Sequence, residues 1–296
     1  MSRLAAALTL MLALAGPASA DRALTVFAVN APLADMAARL AGDRAQIAFP
    51  VPKGRDPAFW RPAIADITAA QRADLVLLNG AGYAAWTTKA TLPRGRLVDT
   101  SIAFADRLIE TETITHSHGS EGAHSHIGRA THVWLDFAQA RAQADAIAAA
   151  LIRRMPEAQA EIAASLAALT ADLDALDVEA QAIGARLAGV PLLASHPRYQ
   201  YFARAYGMTI DSVAWDPQTP PEAQDWAELD ALRARSGAGA MLWERVPAAE
   251  TAAELAARGL EVILFEPGGD RGAVPFIERM RGNLTRLSAW ADRRGG

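Results

Sequence analysis

The chain has no cysteine, so its six histidines are the residues whose type and spacing speak most directly of chemistry. Without thiols there are no disulfides, no thiolate metal sites and no sulfur nucleophile. Four of the six lie in Thr115–His126, where His116 and His118 form one His-x-His pair and His124 and His126 another, with Glu121 between them. Gly and Ser dominate that stretch and nothing apolar repeats, so it reads as a flexible loop rather than a packed element. Imidazoles at that density beside one carboxylate make a collector of borderline metals such as zinc. Its affinity should be modest because ordering the loop costs backbone entropy. The plainer reading is a solvated polar loop.

The other two histidines sit in ordered-looking surroundings. His132 stands in Thr131-His132-Val133-Trp134-Leu135-Asp136, just ahead of a long helical region, and on its own fits a satisfied structural residue or a ligand. His196, in Ala194-Ser195-His196-Pro197, follows an apolar strand and precedes a helix. Open α/β sheets bind ligands at such strand ends. Two imidazoles and a carboxylate also describe catalytic zinc, but no His-Glu-x-x-His motif and no Gly-x-Ser-x-Gly elbow occurs. Asp99, Asp106, Glu110 and Glu112 form an acidic stretch without a partner, read as a solvated face. An enzyme is therefore not expected, a zinc-dependent hydrolase being the least favoured alternative.

The elements that must hold these residues alternate between strand and helix. Leu24–Val29, Ile47–Val51 and Asp74–Gly80 read as strands, with helices over Pro32–Leu40 and Ala63–Ala73 between them. From Asp136 to Leu187 the chain is almost uninterrupted helix former, with Pro156 marking where two helices meet. The second of these carries Ile162, Leu166, Leu169, Leu173, Leu176 and Val178 as its buried stripe. The alternation then resumes, with strands at Val190–Ala194, Thr209–Val213, Ala240–Trp243 and Glu261–Phe265. Helices follow at Tyr199–Tyr206, Trp226–Arg235, Ala248–Arg258 and Phe276–Ala291. The fold expected is α/β, two lobes each with a mainly parallel sheet flanked by helices, joined by a long rigid helix. The expected divisions are 21–135 for the N-terminal lobe with its His-rich loop 115–126, 136–188 for the helical spine and 189–296 for the C-terminal lobe.

Residues 1–20 read as a cleaved secretory signal peptide, with Arg3, an apolar run from Leu4 to Ala15, and Ala18-Ser19-Ala20 before Asp21. Cleavage there removes Arg3 and leaves 28 basic against 33 acidic residues, a formal charge of about −5. That mild acidity without a basic cluster argues against nucleic acid as a partner. With no cysteine to carry a lipid anchor, the expectation is a soluble protein of the periplasm.

Several segments resemble the zinc/manganese-type, cluster A-I periplasmic solute-binding proteins of ABC importers. His132-Val133-Trp134-Leu135-Asp136 is similar to the family's His-Val-Trp-Leu-Asp segment, and Ser195-His196 with Tyr201–Gly207 to its Ser-His strand end and following helix. Ala73–Val76 through Asn79-Gly80 resembles its first-lobe strand, Asn283-Leu284 suits its last helix, and the His-rich loop lies where zinc-specific members carry theirs. The resemblance implies a monomer that holds a metal ion between two lobes and delivers it to an importer permease. It also implies four ligand positions, the second and third being His132 and His196 and the fourth an acidic residue after a late strand. Glu266 fills the fourth, with Asp270 as the alternative carboxylate.

The first position departs from the pattern. Where the family has Asp-Pro-His this chain has Asp56-Pro57-Ala58, followed by Phe59-Trp60. Neither aromatic side chain offers zinc a usable lone pair. A loop histidine, water or Glu244 could supply the missing ligand, although Arg245 beside Glu244 suggests local ion pairing. Two imidazoles favour zinc over manganese, and copper and nickel would bind the same nitrogens in vitro. The alternative function is a divergent paralogue that takes a metal complex, or receives metal from a periplasmic metallochaperone. The Phe59-Trp60 pair would then face the ligand, whereas in the simpler reading Trp60 packs into the first lobe.

Overall fold

The computed structural model describes residues 23–111, 115–118, 122–125, 128–215 and 219–295. The signal-peptide reading therefore lies outside the described residues, as do Glu121 and His126. Two parallel four-stranded sheets are flanked by helices, as the alternation of strand and helix patterns requires. The first sheet takes its strands in the order β2-β1-β3-β4, with β1 at Leu24–Ala28, β2 at Ala45–Ala48, β3 at Leu75–Leu78 and β4 at Leu97–Asp99. Its helices are α1 (Ala31–Ala41), α2 (Ile64–Arg72) and the single turn α3 (Trp86–Lys89). The strand β2 runs from two residues earlier than expected and stops at Ala48, short of Pro50, which has no N–H to continue the ladder. The three-residue strand β4, where Arg96 and Asp99 flank only Leu97-Val98, was not legible as a strand at all.

The His-rich segment differs from its expected form. Instead of an irregular loop, Thr115–His118 (β5) and Gly122–Ser125 (β6) pair as an antiparallel ribbon that sets His116 opposite His124 and His118 opposite Gly122. The ladder satisfies backbone groups that a loop would leave to water.

The helical middle consists of α4 (Phe137–Arg154) and α5 (Gln159–Arg186), separated by a single 3-10 turn that begins at Pro156. Asp136 caps α4 by accepting from the Gln139 backbone N–H at 3.2 Å. On α5 the buried residues are Ile162, Leu169, Leu173, Leu176, Ala180, Ile183 and Gly184. Val178, expected in that stripe, is 65% exposed. It lies two positions past Leu176, on another face of a helix that turns every 3.6 residues.

The second sheet repeats the winding of the first. Its strands β7 (Pro191–Ala194), β8 (Thr209–Ser212), β9 (Ala240–Trp243) and β10 (Glu261–Leu264) lie in the order β10-β9-β7-β8. The helices α6 (Gln200–Ala205), α7 (Ala223–Ser236), α8 (Ala249–Ala257) and α9 (Phe276–Gly295) complete the lobe. Alternate strand residues face opposite sides, so Leu192, Ala194 and Leu242 enter the main core while Leu193, Met241 and Trp243 pack outward with Trp215, Leu229 and Leu255. The main core runs without a break from the first sheet through α4 and α5 to α9. Among the described residues no helix is long and apolar enough to cross a membrane.

Candidate metal centre

Both sheets reverse strand order beside their first strand, between β1 and β3 in one and between β7 and β9 in the other. Crevices at such switch points, beyond the carboxyl ends of the strands, are where open α/β sheets take ligands. His196 lies two residues past β7 and Glu244 one residue past β9, so both stand at the switch point of the second sheet. His196 is 1% exposed, and its Nδ1 lies 3.1 Å from the Trp215 carbonyl oxygen. A carbonyl can only accept, so Nδ1 carries the proton and the lone pair of the neutral ring sits on Nε2. That is the ring state a metal ion requires, with orientation fixed by a backbone partner.

His132 reaches the same region from the other lobe. It opens the 3-10 turn Val133–Leu135, whose three side chains are fully buried and anchor it. The Trp134 Nε1–H donates to the Pro267 carbonyl at 2.7 Å, tying this turn to the loop after β10. The His132 ring is tilted against Trp134 with centroids 4.8 Å apart, and Tyr83 stands edge-on to both, 6.1 Å from His132 and 5.5 Å from Trp134. Its Nδ1 lies 3.2 Å from Thr131 Oγ1.

Three residues of the candidate site escaped the sequence reading: Asp56, Tyr83 and Arg198. The Arg198 Nη2 donates to Asp56 Oδ2 at 2.7 Å, joining the two lobes. Its Nε approaches Glu244 Oε1 to 2.8 Å, an ion pair by distance in which the N–H is not aimed at the oxygen. Asp56 also accepts from the Ala58 backbone N–H at 2.9 Å, so the Asp-Pro frame of the loop survives as a turn that presents a carboxylate. Burial pushes the Asp56 carboxyl up, but Arg198, His132 and the Ala58 N–H together hold it below the usual range. Burial raises Glu244 to about 7, with Arg198 opposing and Asp56 adding to the rise. Burial likewise drives the Tyr83 hydroxyl well up, and Asp56 adds to that. The one sequence signal for Arg198 was its place two residues after His196, in a stretch matched to the family only from Tyr201 onward.

The remaining expected residues lie as follows. Glu266 is half-buried, and its backbone is clamped by Asn283, which accepts from the Glu266 N–H at 3.0 Å and donates to its carbonyl at 2.8 Å. Asp270 takes the Arg245 Nη2 at 3.0 Å, with Arg279 Nη1 at 3.9 Å. The ion pairing expected beside Glu244 thus involves a different arginine, because Arg245 turns to Asp270 and Arg198 takes Glu244. Trp60 stands edge-on to Trp86 at 6.2 Å, which in turn meets Phe27, so Trp60 packs on the first lobe. Phe59 beside it is half-buried.

Two buried imidazoles suit a borderline divalent ion. A complete donor set is another matter. Among the described residues no three or more His, Asp or Glu are gathered as metal ligands, and a guanidinium holds the carboxylates of Asp56 and Glu244.

Two lobes of the same winding, with titratable groups converging from both, define a two-lobed binding protein. More specifically, the chain belongs to the ZnuA family, the periplasmic component A of zinc-uptake complexes, whose pattern it matches over residues 26–289. It is similar to the manganese ABC transporter substrate-binding lipoprotein PsaA of Streptococcus pneumoniae, with 28% identity over 210 residues covering 69% of this chain and 65% of that protein. The iron ABC transporter substrate-binding lipoprotein MtsA of Streptococcus pyogenes is 27% identical over 205 residues, covering 67% and 64%. This chain thus spans a little under two thirds of these relatives' length. Such relatives are substrate-binding components of transporters, not enzymes, in line with the expectation for this chain. They are named lipoproteins, which runs against the expectation of an unanchored chain.

Among solved structures, the fold is shared with the Zn(II)-bound ZnuA-like domain of Streptococcus pneumoniae AdcA. That comparison has a TM-score of 0.75 at 20% identity, covering 91% of this chain and 99% of that one. It is shared too with Pseudomonas aeruginosa FpvC in complex with Mn2+, at a TM-score of 0.73 and 19% identity, covering 93% and 100%.

Proposed function

We propose that this protein is an extracytoplasmic, periplasmic solute-binding protein that captures a divalent metal ion, zinc by preference, between its lobes and passes it to the permease of an ABC importer. The supporting observation is the pair His132 and His196, both buried, contributed by opposite lobes, with His196 oriented by the Trp215 carbonyl so that Nε2 bears the lone pair. Family membership supports the transport role. The relatives' names divide between manganese and iron, so the preference for zinc rests on the donor chemistry: two imidazoles suit zinc better than the oxygen-seeking Mn2+. Glu266 or Asp270 remains the proposed carboxylate, and the His-rich ribbon a secondary collecting site. A second reading, capture of a metal complex, gains from the engagement of Asp56 and Glu244 by Arg198, which leaves few protein donors for a bare ion.

Calorimetric titration of metal-free protein with ZnCl2 tests the proposal. His132→Ala and His196→Ala should each weaken zinc by more than the roughly 10–100-fold that loss of a supporting residue costs. Deleting 115–126 should remove only weak additional sites. Zinc affinity that is indifferent to both histidines would reject the proposal.

A further inference from the structure

We infer that Arg198 is the specificity-determining residue of this cleft, a resident cation that holds Asp56 and Glu244 and so withholds their oxygens from an incoming divalent ion. The inference rests on the reading that the cleft receives such an ion. It goes further by assigning its selectivity to a residue that is not itself a ligand.

The geometry carries the argument. Arg198 comes from the loop after β7, its backbone N–H bonded to the His196 carbonyl at 2.9 Å, so its side chain starts beside one imidazole. From there it spans to Asp56 on the opposite lobe at 2.7 Å and to Glu244 past β9 at 2.8 Å. All three side chains are well shielded, at 14%, 16% and 7% exposure for Arg198, Asp56 and Glu244. Asp56 also feels the charge of His132. The guanidinium therefore lies among the groups that would otherwise form a mixed nitrogen and oxygen donor set.

Arginine cannot lose its proton in a protein, so unlike a lysine it cannot yield by neutralising. A divalent ion that sought the same oxygens would meet a fixed positive charge within a few ångströms in a partly dehydrated site. Metals that depend on carboxylates, Mn2+ above all, are penalised most, and metals content with imidazole least. A second consequence is structural. The bridge from Arg198 to Asp56 joins the lobes by a protein cation, at the place where a bound metal would otherwise join them.

The test measures Mn2+ binding, from the electron paramagnetic resonance of free Mn2+, and Zn2+ binding by calorimetry, on the full-length protein and its Arg198→Gln variant. The expected result is a gain in Mn2+ affinity of tenfold or more, with a smaller gain for Zn2+. Unchanged or weaker Mn2+ binding in folded Arg198→Gln would overturn the inference, the weaker case meaning that Arg198 orients the ligand. Losing its cation strands two buried carboxylates, so folding is checked by circular dichroism. Arg198→Gln combined with Glu244→Gln, compared against Glu244→Gln alone, repeats the question with one carboxylate fewer. Mn2+ affinity must again rise, and no rise would overturn the inference. Zinc affinity unchanged by His132→Ala and His196→Ala would sink the zinc proposal without touching this result, and zinc affinity lost in both variants with Mn2+ affinity unmoved in Arg198→Gln would sink this inference alone.

Discussion

The two sheets are wound identically, yet their switch points hold opposite chemistry. In the first sheet the residue two past β1 is Asn30 and the residue one past β3 is Asn79; in the second sheet the corresponding places hold His196 and Glu244. The two asparagines are fully buried and bonded to each other, Asn30 Nδ2 donating to Asn79 Oδ1 at 3.0 Å. Asn30 Oδ1 also caps α1 through the Leu33 N–H, and Asn79 Nδ2 donates to the Thr131 carbonyl just before His132. That crevice holds neutral amides bonded to each other and to the first lobe's backbone, with Gln143 of α4 at 3.4 Å from Asn79 Oδ1. The other is lined with groups that change charge. The pair shows that one winding can carry either neutral, mutually bonded amides or titratable groups at its switch point, and that the first lobe places Asp56, Tyr83 and His132 near Arg198 from loops rather than from its own switch point.

The sharpest way to break that contrast is Asn79→Ala. It leaves Asn30 Nδ2 and the Thr131 carbonyl without their partner, and removes a 3.4 Å contact from Gln143 Nε2, which keeps its 2.8 Å bond to Thr100. Buried polar groups so stranded should cost about 3–5 kcal/mol in denaturant unfolding. Zinc affinity at low temperature, where the variant remains folded, should be close to wild type. A variant of normal stability that binds zinc poorly would show the first crevice to be a ligand site and the contrast to be false.

The architecture was legible because strand and helix periods alternate so regularly, and because Pro156 divides the long helical run where the 3-10 turn is found. The elements that escaped were those with too little pattern to read, such as β4 with its two apolar residues, and the His-rich ribbon, whose sequence has no apolar alternation to announce a strand. At the site, His132 and His196 stood out by residue type. Ala58 was visible as a missing imidazole, but its backbone role, donating to Asp56, was not. Arg198 was illegible for a deeper reason. An arginine near a histidine means nothing until the fold brings Asp56, 142 positions away, against it.

A smaller effect separates the two switch points by pH. Glu244 has its carboxyl raised by burial from 4.5 to about 7, whereas the asparagines do not titrate. A carboxyl with a higher pKa in the folded than in the unfolded chain holds its proton more tightly when folded. Stability contributed here is therefore greatest below about 4.5, falls as pH rises toward 7, and is level above that. Asp56, shifted the other way, acts in the window below its usual 3.8 and does not mask this slope. Glu244→Gln should flatten the decline, gaining about 2–3 kcal/mol over wild type at pH 8 relative to pH 4.5 in unfolding experiments. An identical slope for wild type and Glu244→Gln between pH 5 and 7 would mean that Arg198 fully compensates Glu244, whatever the buried histidines add to both profiles.

The least effect is expected at the uncharged contact between Gly269 and Tyr83. A methyl group placed on Gly269 would meet Tyr83 Oη at 2.9 Å and the Trp134 ring at 3.5 Å. The hydroxyl of Tyr83 is buried and, among the described residues, makes no hydrogen bond. Gly269→Ala must therefore push the tyrosine aside, at a cost of about 1–2 kcal/mol. Tyr83→Phe removes an unsatisfied group and should leave the metal-free protein unchanged or up to about 1 kcal/mol more stable. Combining the two should relieve part of the Gly269→Ala cost, because the atom in the way is gone. If Tyr83→Phe instead weakens zinc binding severalfold while sparing stability, the tyrosine belongs with Asp56 and His132 among the residues the first lobe sends to the cleft. The contact at Gly269 would then be part of how the mouth closes on its ion.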